Sequence, residues 1–526
     1  MISEDLDNLG DLLSRNARKI PREFAVISRE SQYTWEEVND RTNSLAQVLN
    51  IMGVVRGDRI ATLTRNRAEW YEMSFAGFMI GAPLVRLNYW FAAEELAYII
   101  NDSGATTLIL DDNHVDIVQS IIPLCPTLNN IICIGKPSEG MEEYERLITK
   151  YTHNKYSAPK KIGGDDLSSI IYTSGTTGNP KGVMHTHRSA LYNVINNARP
   201  LRLKAGMRFL HVFPGFFSAG VMNLLFGAYI PMVNIIMDWD VERVIDTIEK
   251  EKIQVTGIAP TMFAFMLESP NLEKHDLSSL KTIYYAASPM PLAMLKESMH
   301  NFKCDFIQFY GTTETGPSGS VLEPDDHILE GSDKEKKRLT SAGKEQANIR
   351  VRVVDEKGLD VAPGELGEII VNSPGNMIGY WNLPEETERV LKDGFVYTGD
   401  VGRMDEDSYL YIVDRKKDLI ISGGINIYPV EIERVIYQHP SVLEVAVIGV
   451  PDKKWGESIK AIVTLKKGKT ATEKEIIDSC KENLASYKKP KSVDFVDALP
   501  KSPAGKIIKR KLRDKYWQGQ DSERKV

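Results

Sequence analysis

The chain has 526 residues, 42% hydrophobic and 26% charged, and its 65 Lys and Arg against 72 Asp and Glu give a formal net charge of −7. That balance describes a globular protein of about two to four domains; it excludes a disordered chain and argues against nucleic acid as the main partner. Four widely spaced cysteines (Cys125, Cys133, Cys304, Cys480), with no CxxC pair and no His partner, fit neither a disulfide framework nor a zinc site, and point to a reducing, cytoplasmic setting.

The N-terminal MISEDLDNLG is acidic and has neither the basic nor the apolar block of a signal peptide. Thr34 and Glu37 form a capping box that opens an amphipathic helix running to about residue 52. A strand over 59–64 (RIATLT) follows, then helix 69–80, strand 83–87, helix 92–100 and strand 107–110. This is the βαβ rhythm of a parallel sheet with helices on both faces. Residues 141–164 are polar and read as a connection. Residues 167–172 (LSSIIY) read as a short buried strand, and 183–185 as a second strand before a helix capped by Thr186.

Between those strands lies YTSGTTGNPKG, residues 172–182. It supplies the hydroxyls of Thr173, Ser174, Thr176 and Thr177, close backbone approach at Gly175, Gly178 and Gly182, and the charge of Lys181. Alone, such a run is a flexible surface loop. Held at both ends by core strands, it is a positioned grip for a polyphosphate. It is not the Walker pattern, because Gly182 follows Lys181 where Ser or Thr should meet magnesium.

Residues 212–237 carry no charge and are long enough to span a bilayer, yet Pro214, Gly215, Gly220 and Pro231 interrupt them, with Asn223 and Asn234 inside. They read as buried core lining an apolar pocket, with a membrane span as the lesser alternative. From residue 210 the βαβ rhythm returns, with helix 241–250, strand 254–258, helix 289–299 and strand 305–310. Beyond 342 come short β-runs (349–354, 368–371), and after about 414 a small α+β unit with helices over 430–437 and 472–483. Residues 501–526 hold nine Lys or Arg against three Asp or Glu, which by themselves read as a solvated tail.

Taken with five later stretches, the 172–182 loop resembles that of the adenylate-forming (AMP-binding) enzymes: acyl- and aryl-CoA synthetases, adenylation domains of peptide synthetases, and beetle luciferases. The others are YGTTETG (310–316), GELGEIIV (364–371), YTGDVGRMDEDSYLYIVDRKKD (397–418), ISGGINIYPVEIE (421–433) and PKSPAGKI (500–507). Six motifs in the family's order, spread over nearly the whole chain, carry the resemblance where one Gly-rich loop would not. It implies an α/β fold: a large N-terminal domain (1–413) of two doubly wound halves plus a small β-rich subdomain, a hinge (414–418) at Lys417, and a small mobile α+β domain (419–526).

The resemblance also implies roles. The 173–181 loop holds the outgoing phosphates of ATP. Tyr310, Gly311 and Thr312 lie by the adenine, Thr313 by the α-phosphate, and Glu314 binds Mg2+, a cation that prefers oxygen. Asp400 accepts the ribose hydroxyls, and Arg415 donates to the same ribose or to phosphate. Lys506 brings positive charge to the reacting carboxylate and α-phosphate. In the second half-reaction the small domain turns, and Gly423 and Gly424 line the tunnel for the pantetheine arm of CoA. The acyl pocket takes Phe213, Phe217, Ala286, Ala287 and Ser288. Many relatives have histidine where this chain has Phe217 and a Gly-Gly pair where it has Ala286 and Ala287. The expected function is an ATP-dependent acyl-CoA synthetase for an apolar acid, first a medium- or long-chain fatty acid. Alicyclic or aromatic acids, or transfer to a carrier protein, are the alternatives. Peripheral membrane association and a homodimer stay open.

Overall fold

The computed structural model describes residues 8–29, 31–151, 155–158, 161–173, 179–288, 290–415, 418–423, 425–501 and 507–517, with residue 426 by its backbone. Among them four sheets organise the chain. The first has eight strands and is parallel at its centre, where Ile60–Leu63 lies between Leu84–Arg86 and Thr107–Asp111. Ile60–Leu63 and Thr107–Asp111 are buried at every position, as a parallel sheet covered on both faces requires. Helix Trp35–Ile51 starts at the expected capping box, with the Thr34 side chain accepting from the Glu37 amide and the Glu37 carboxylate from the Thr34 amide. Leu167–Thr173 joins the sheet beside Leu84–Arg86, and Lys181–Thr186 returns antiparallel to it, with Thr173 opposite Lys181.

The second sheet has nine strands around the parallel run Val233–Ile236, Arg208–His211, Val255–Ile258, Thr282–Tyr285 and Asp305–Tyr310. Here the chain departs from a sequential reading. The N-terminal strand Phe24–Ile27 joins this second sheet, parallel to Val233–Ile236, rather than the sheet built from the residues that follow it. A third sheet of five strands is antiparallel and includes Phe395–Met404 and Leu410–Arg415. The fourth, also of five strands, forms the small C-terminal unit with helices Pro429–Ile436, Glu473–Asn483 and Lys509–Trp517, and it has an apolar core of its own around Ile420, Ile432, Val447 and Ile476.

The uncharged run 212–237 is broken into helix Ser218–Tyr229 and strand Val233–Ile236, and no described helix is long and apolar enough to cross a membrane. The supposed connection 141–164 contains strand Glu142–Glu143 and helix Tyr144–Lys150. Its two buried positions, Tyr144 and Ile148, are four apart and so share one helix face. The Tyr144 hydroxyl donates to Glu72, a fully buried carboxylate that also takes a bidentate Arg41. A single i, i+4 apolar pair in a polar stretch is too sparse a pattern to announce this helix from sequence.

Candidate active site

The 172–182 loop springs from the hairpin formed by Leu167–Thr173 and Lys181–Thr186. Ser174, Gly175, Thr176, Thr177 and Gly178 lie outside the described residues, and the two ends of the loop lie in paired strands. Tyr172 donates its hydroxyl to Asp102 at 2.5 Å. A Cβ on Gly182 would come within 2.7 Å of Ile170, 3.1 Å of Tyr172 and 3.2 Å of Trp381, so no Ser or Thr fits after Lys181. Lys181 itself is bound to Glu386 at 2.7 Å, with its ammonium 5.6 Å from the Tyr380 ring centroid.

Strand Asp305–Tyr310 delivers the next stretch. Gly311 is required sterically, because a Cβ there would meet the Pro317 backbone at 2.5 Å. The Thr313 carbonyl accepts from His185 Nε2 at 2.8 Å, which fixes the protonated ring nitrogen, since a carbonyl can only accept. Burial lowers the His185 pKa and keeps the ring neutral. Glu314 is held twice: its carbonyl accepts from the Met377 amide at 2.7 Å, and its Oε1 accepts from the Tyr380 hydroxyl at 2.8 Å. Tyr380 reaches both Glu314 and Lys181 because strand Gly379–Tyr380 pairs with Lys181–Thr186, placing Tyr380 opposite Val183.

Asp400 and Arg415 face each other across antiparallel strands of the third sheet. Their side chains meet at 2.5 Å (Oδ1 to Nε), and Tyr310 donates its hydroxyl to the other carboxylate oxygen at 2.8 Å. Tyr310 is thus a structural link between the second and third sheets. Its hydroxyl pKa is driven well up by burial and the neighbouring Asp400 charge, so it stays a donor. Burial would lower the Arg415 pKa, but Asp400, Tyr310 and Glu314 together raise it. The Tyr310 hydroxyl brings the 310–316 stretch into direct contact with Asp400.

At the expected hinge and in the small unit, Lys417, Gly424 and Lys506 lie outside the described residues. Lys501 and Ile507, on either side of the segment that carries Lys506, form an antiparallel bridge. Lys501 is paired with Glu444 at 2.7 Å and lies 5.9 Å from the Phe265 ring of helix Pro260–Glu268 in the large unit. Gly423 has φ +60° and a Trp455 ring 2.7 Å from where its Cβ would stand, so it admits no side chain. Asp414, at the start of the expected 414–418 hinge, accepts from the Val430 amide at 3.1 Å and so caps helix Pro429–Ile436 across positions 416–417.

Burial raises the Asp414 carboxyl from 3.8 to about 6. The folded chain therefore holds the extra proton between those values, and Asp414 draws stability down as pH rises from about 4 to about 6. Asp414→Asn keeps the capping oxygen and removes the titration. Its melting temperature relative to wild type is expected to rise across that interval and level off above it; parallel curves would refute the assignment.

The acyl-side residues divide. Phe213 is buried, 6.4 Å from the Tyr284 ring, and acts as core. Phe217 is half-buried at the N-cap of helix Ser218–Tyr229, against Phe216 at 4.4 Å. Ala286 packs on the core, Ser288 is half-buried, and Ala287 is exposed with φ +78°. An alanine there carries left-handed strain that a glycine does not. Ala287→Gly is expected to stabilise the fold by about 1 kcal/mol, read by thermal melting; a loss of stability would show that the methyl group has a packing role.

Sequence reasoning missed His185, Tyr380 and Glu386. His185 had a signal, a polar ring within an otherwise apolar buried strand. Tyr380 and Glu386 had none of comparable strength, since Tyr380 reaches the site by strand pairing with Val183 and Glu386 by an ion pair from helix Pro384–Val390 to Lys181, both with residues some two hundred positions earlier.

Residues 13–381 match the AMP-binding enzyme family, and residues 431–506 match the AMP-binding enzyme C-terminal domain. The fatty acid–acyl-carrier-protein ligase ScoC of Streptomyces coeruleorubidus is 33% identical over 532 residues, spanning 99% of this chain and 98% of its own. The long-chain-fatty-acid–CoA ligase FadD13 of Mycobacterium tuberculosis is 34% identical over 518 residues, spanning 97% and 99%. Among solved structures, the anthranilate CoA ligase AuaEII in complex with anthranoyl-AMP is similar at a TM-score of 0.89 and 29% identity, covering 98% of this chain and 99% of its own. The chain belongs to the AMP-binding enzyme family. Within it, the chain is an adenylate-forming enzyme of the acyl-CoA synthetase type, an AMP-forming carboxylate–CoA ligase.

Proposed function

We propose that the enzyme activates an apolar carboxylic acid, first a medium- or long-chain fatty acid, and transfers its acyl group to CoA. The observation that carries the nucleotide half is Asp400, 4% exposed and held by Arg415 and Tyr310, beside the stretch that bears Thr313 and Glu314. A carboxylate so fixed is a preorganised acceptor for a vicinal diol. In this reading the carboxylate oxygen of the acid attacks the α-phosphorus, the bond to pyrophosphate breaks, and the CoA thiol then displaces AMP from the acyl carbon. Thr173 and Lys181 hold the departing phosphates, so Lys181 must exchange Glu386 for them.

Magnesium fits the donor set. Among the described residues no group of three or more His, Cys, Asp or Glu converges. An ion that takes phosphates, water and one carboxylate needs none, and Glu314 has only Oε1 committed to Tyr380. Its charge would offset that of the phosphates. The small unit, taken as 419–526, turns about Lys417 between half-reactions and exchanges Lys506 for Gly423 and Gly424.

The apolar substrate is supported by the uncharged 212–237 run and by His211 just before it, whose pKa burial lowers to about 4, so that no charge there faces an ammonium-bearing acid. The similarity to AuaEII supports a second reading, an aromatic acid, and the similarity to ScoC a carrier-protein acceptor. A panel of fatty, alicyclic and aromatic acids, followed by pyrophosphate release with and without CoA, tests all of these. Preference for fatty acids with CoA consumed and AMP released is expected. Acyl-AMP formation indifferent to CoA would overturn the assigned acceptor, and preference for ring acids the assigned substrate.

A further inference from the structure

Arg86 ends strand Leu84–Arg86, next to the strand that leads into the phosphate loop. It is 8% exposed. Its Nη2 donates to Ser74 Oγ at 2.6 Å, and that hydroxyl passes its own proton to the Trp70 carbonyl, so Ser74 supplies no negative charge. Its Nη1 is buried with no hydrogen-bond partner among the described residues.

Carboxylates on the surrounding elements are committed elsewhere. Glu69, on the helix that bears Ser74, accepts from Arg67; Glu72 on the same helix takes Arg41 and Tyr144; Asp111 takes His114 at 2.6 Å and the Arg65 amide. Burial pushes the guanidinium down to about 10, and it therefore remains charged at neutral pH. A buried cation with no counter-charge is among the most costly placements in a protein.

Beside Arg86 is a cavity of about 10 Å³, walled also by Thr62, Thr64, Ser74, Gly215 and Phe216. That is room for one small particle. Thr64 Oγ1 accepts from Trp70 Nε1 at 3.1 Å, which leaves its proton free to turn inward. The walls thus offer hydroxyl and guanidinium donors. A water would satisfy the hydrogen bonds and leave the charge uncompensated; a small anion does both.

We propose that Arg86, with Thr62 and Thr64, forms a built-in site for one halide-sized monoanion, chloride under ordinary conditions, seated behind Gly215 and Phe216. The bound anion neutralises Arg86 and steadies the start of the acyl-side loop. The site stands apart from the adenylation chemistry and does not depend on the identity of the acid.

The test uses the full-length protein. Crystals grown in bromide are expected to show an anomalous peak within hydrogen-bond distance of Arg86 Nη1. The melting temperature is expected to rise by about 2 °C when gluconate is replaced by chloride at equal ionic strength, and Arg86→Met and Thr62→Val to lose most of that rise. Bromide-free density at Arg86, or an equal chloride response in wild type and Arg86→Met, would overturn the proposal. The bromide experiment on the wild-type protein decides the matter even where a variant fails to fold.

Discussion

Asp400→Asn is expected to lower kcat/KM for ATP by about 10- to 150-fold, mainly through KM, the loss of one hydrogen bond to a charged acceptor. The asparagine keeps the shape but offers an amide where a carboxylate received both Arg415 and Tyr310. One of those donors must then face another donor, and Arg415 loses its buried counter-charge. A drop in melting temperature should therefore accompany the kinetic loss. Tyr310→Phe separates the two effects. It removes one donor to Asp400 and leaves the carboxylate and Arg415 in place, so the loss should be smaller, about tenfold. A stability loss in Asp400→Asn with KM for ATP unchanged would make Asp400 a purely structural bridge between the sheets.

Lys506→Ala is expected to slow acyl-AMP formation by about 100- to 1000-fold, in the range of removing one preorganised donor from a developing anion. Thioester formation from supplied acyl-AMP should fall by less than about tenfold, because in the proposed second orientation Gly423 and not Lys506 faces the reacting group. An unchanged melting curve excludes a folding defect, so the thermal measurement belongs in the same experiment. Equal losses in the two half-reactions would count against the role.

Much of the fold was legible because burial imposes a period. Helices 69–80 and 241–250 and strand 305–310 coincide with Glu69–Ile80, Val241–Lys250 and Asp305–Tyr310. The capping box at Thr34 fixed its helix start through chemistry confined to four residues, and the structure closes a second such box at Thr472. What local pattern does not contain is the choice of partner. Nothing in Phe24–Ile27 specifies that it will lie beside Val233–Ile236, and nothing in Glu386 specifies Lys181. The nucleotide-side residues were legible as motifs, but the way they are held together was not: Tyr310 as donor to Asp400, His185 under Thr313, Tyr380 between Glu314 and Lys181. The left-handed backbone at Ala287 was invisible for another reason, since alanine gives no sign of a conformation it disfavours.

The cap that Asp414 places on helix Pro429–Ile436 joins residues on opposite sides of positions 416–417. If the small unit turns as proposed, this hydrogen bond would belong to one orientation and not to the other. Worth about 0.5–1.5 kcal/mol, it acts as a detent, weighting one setting of the small unit by roughly 2- to 13-fold over any setting that leaves the helix end to water. So light a catch would yield to the binding energy of a single ligand, and in the proposed motion one aspartate side chain would help choose where the small unit rests.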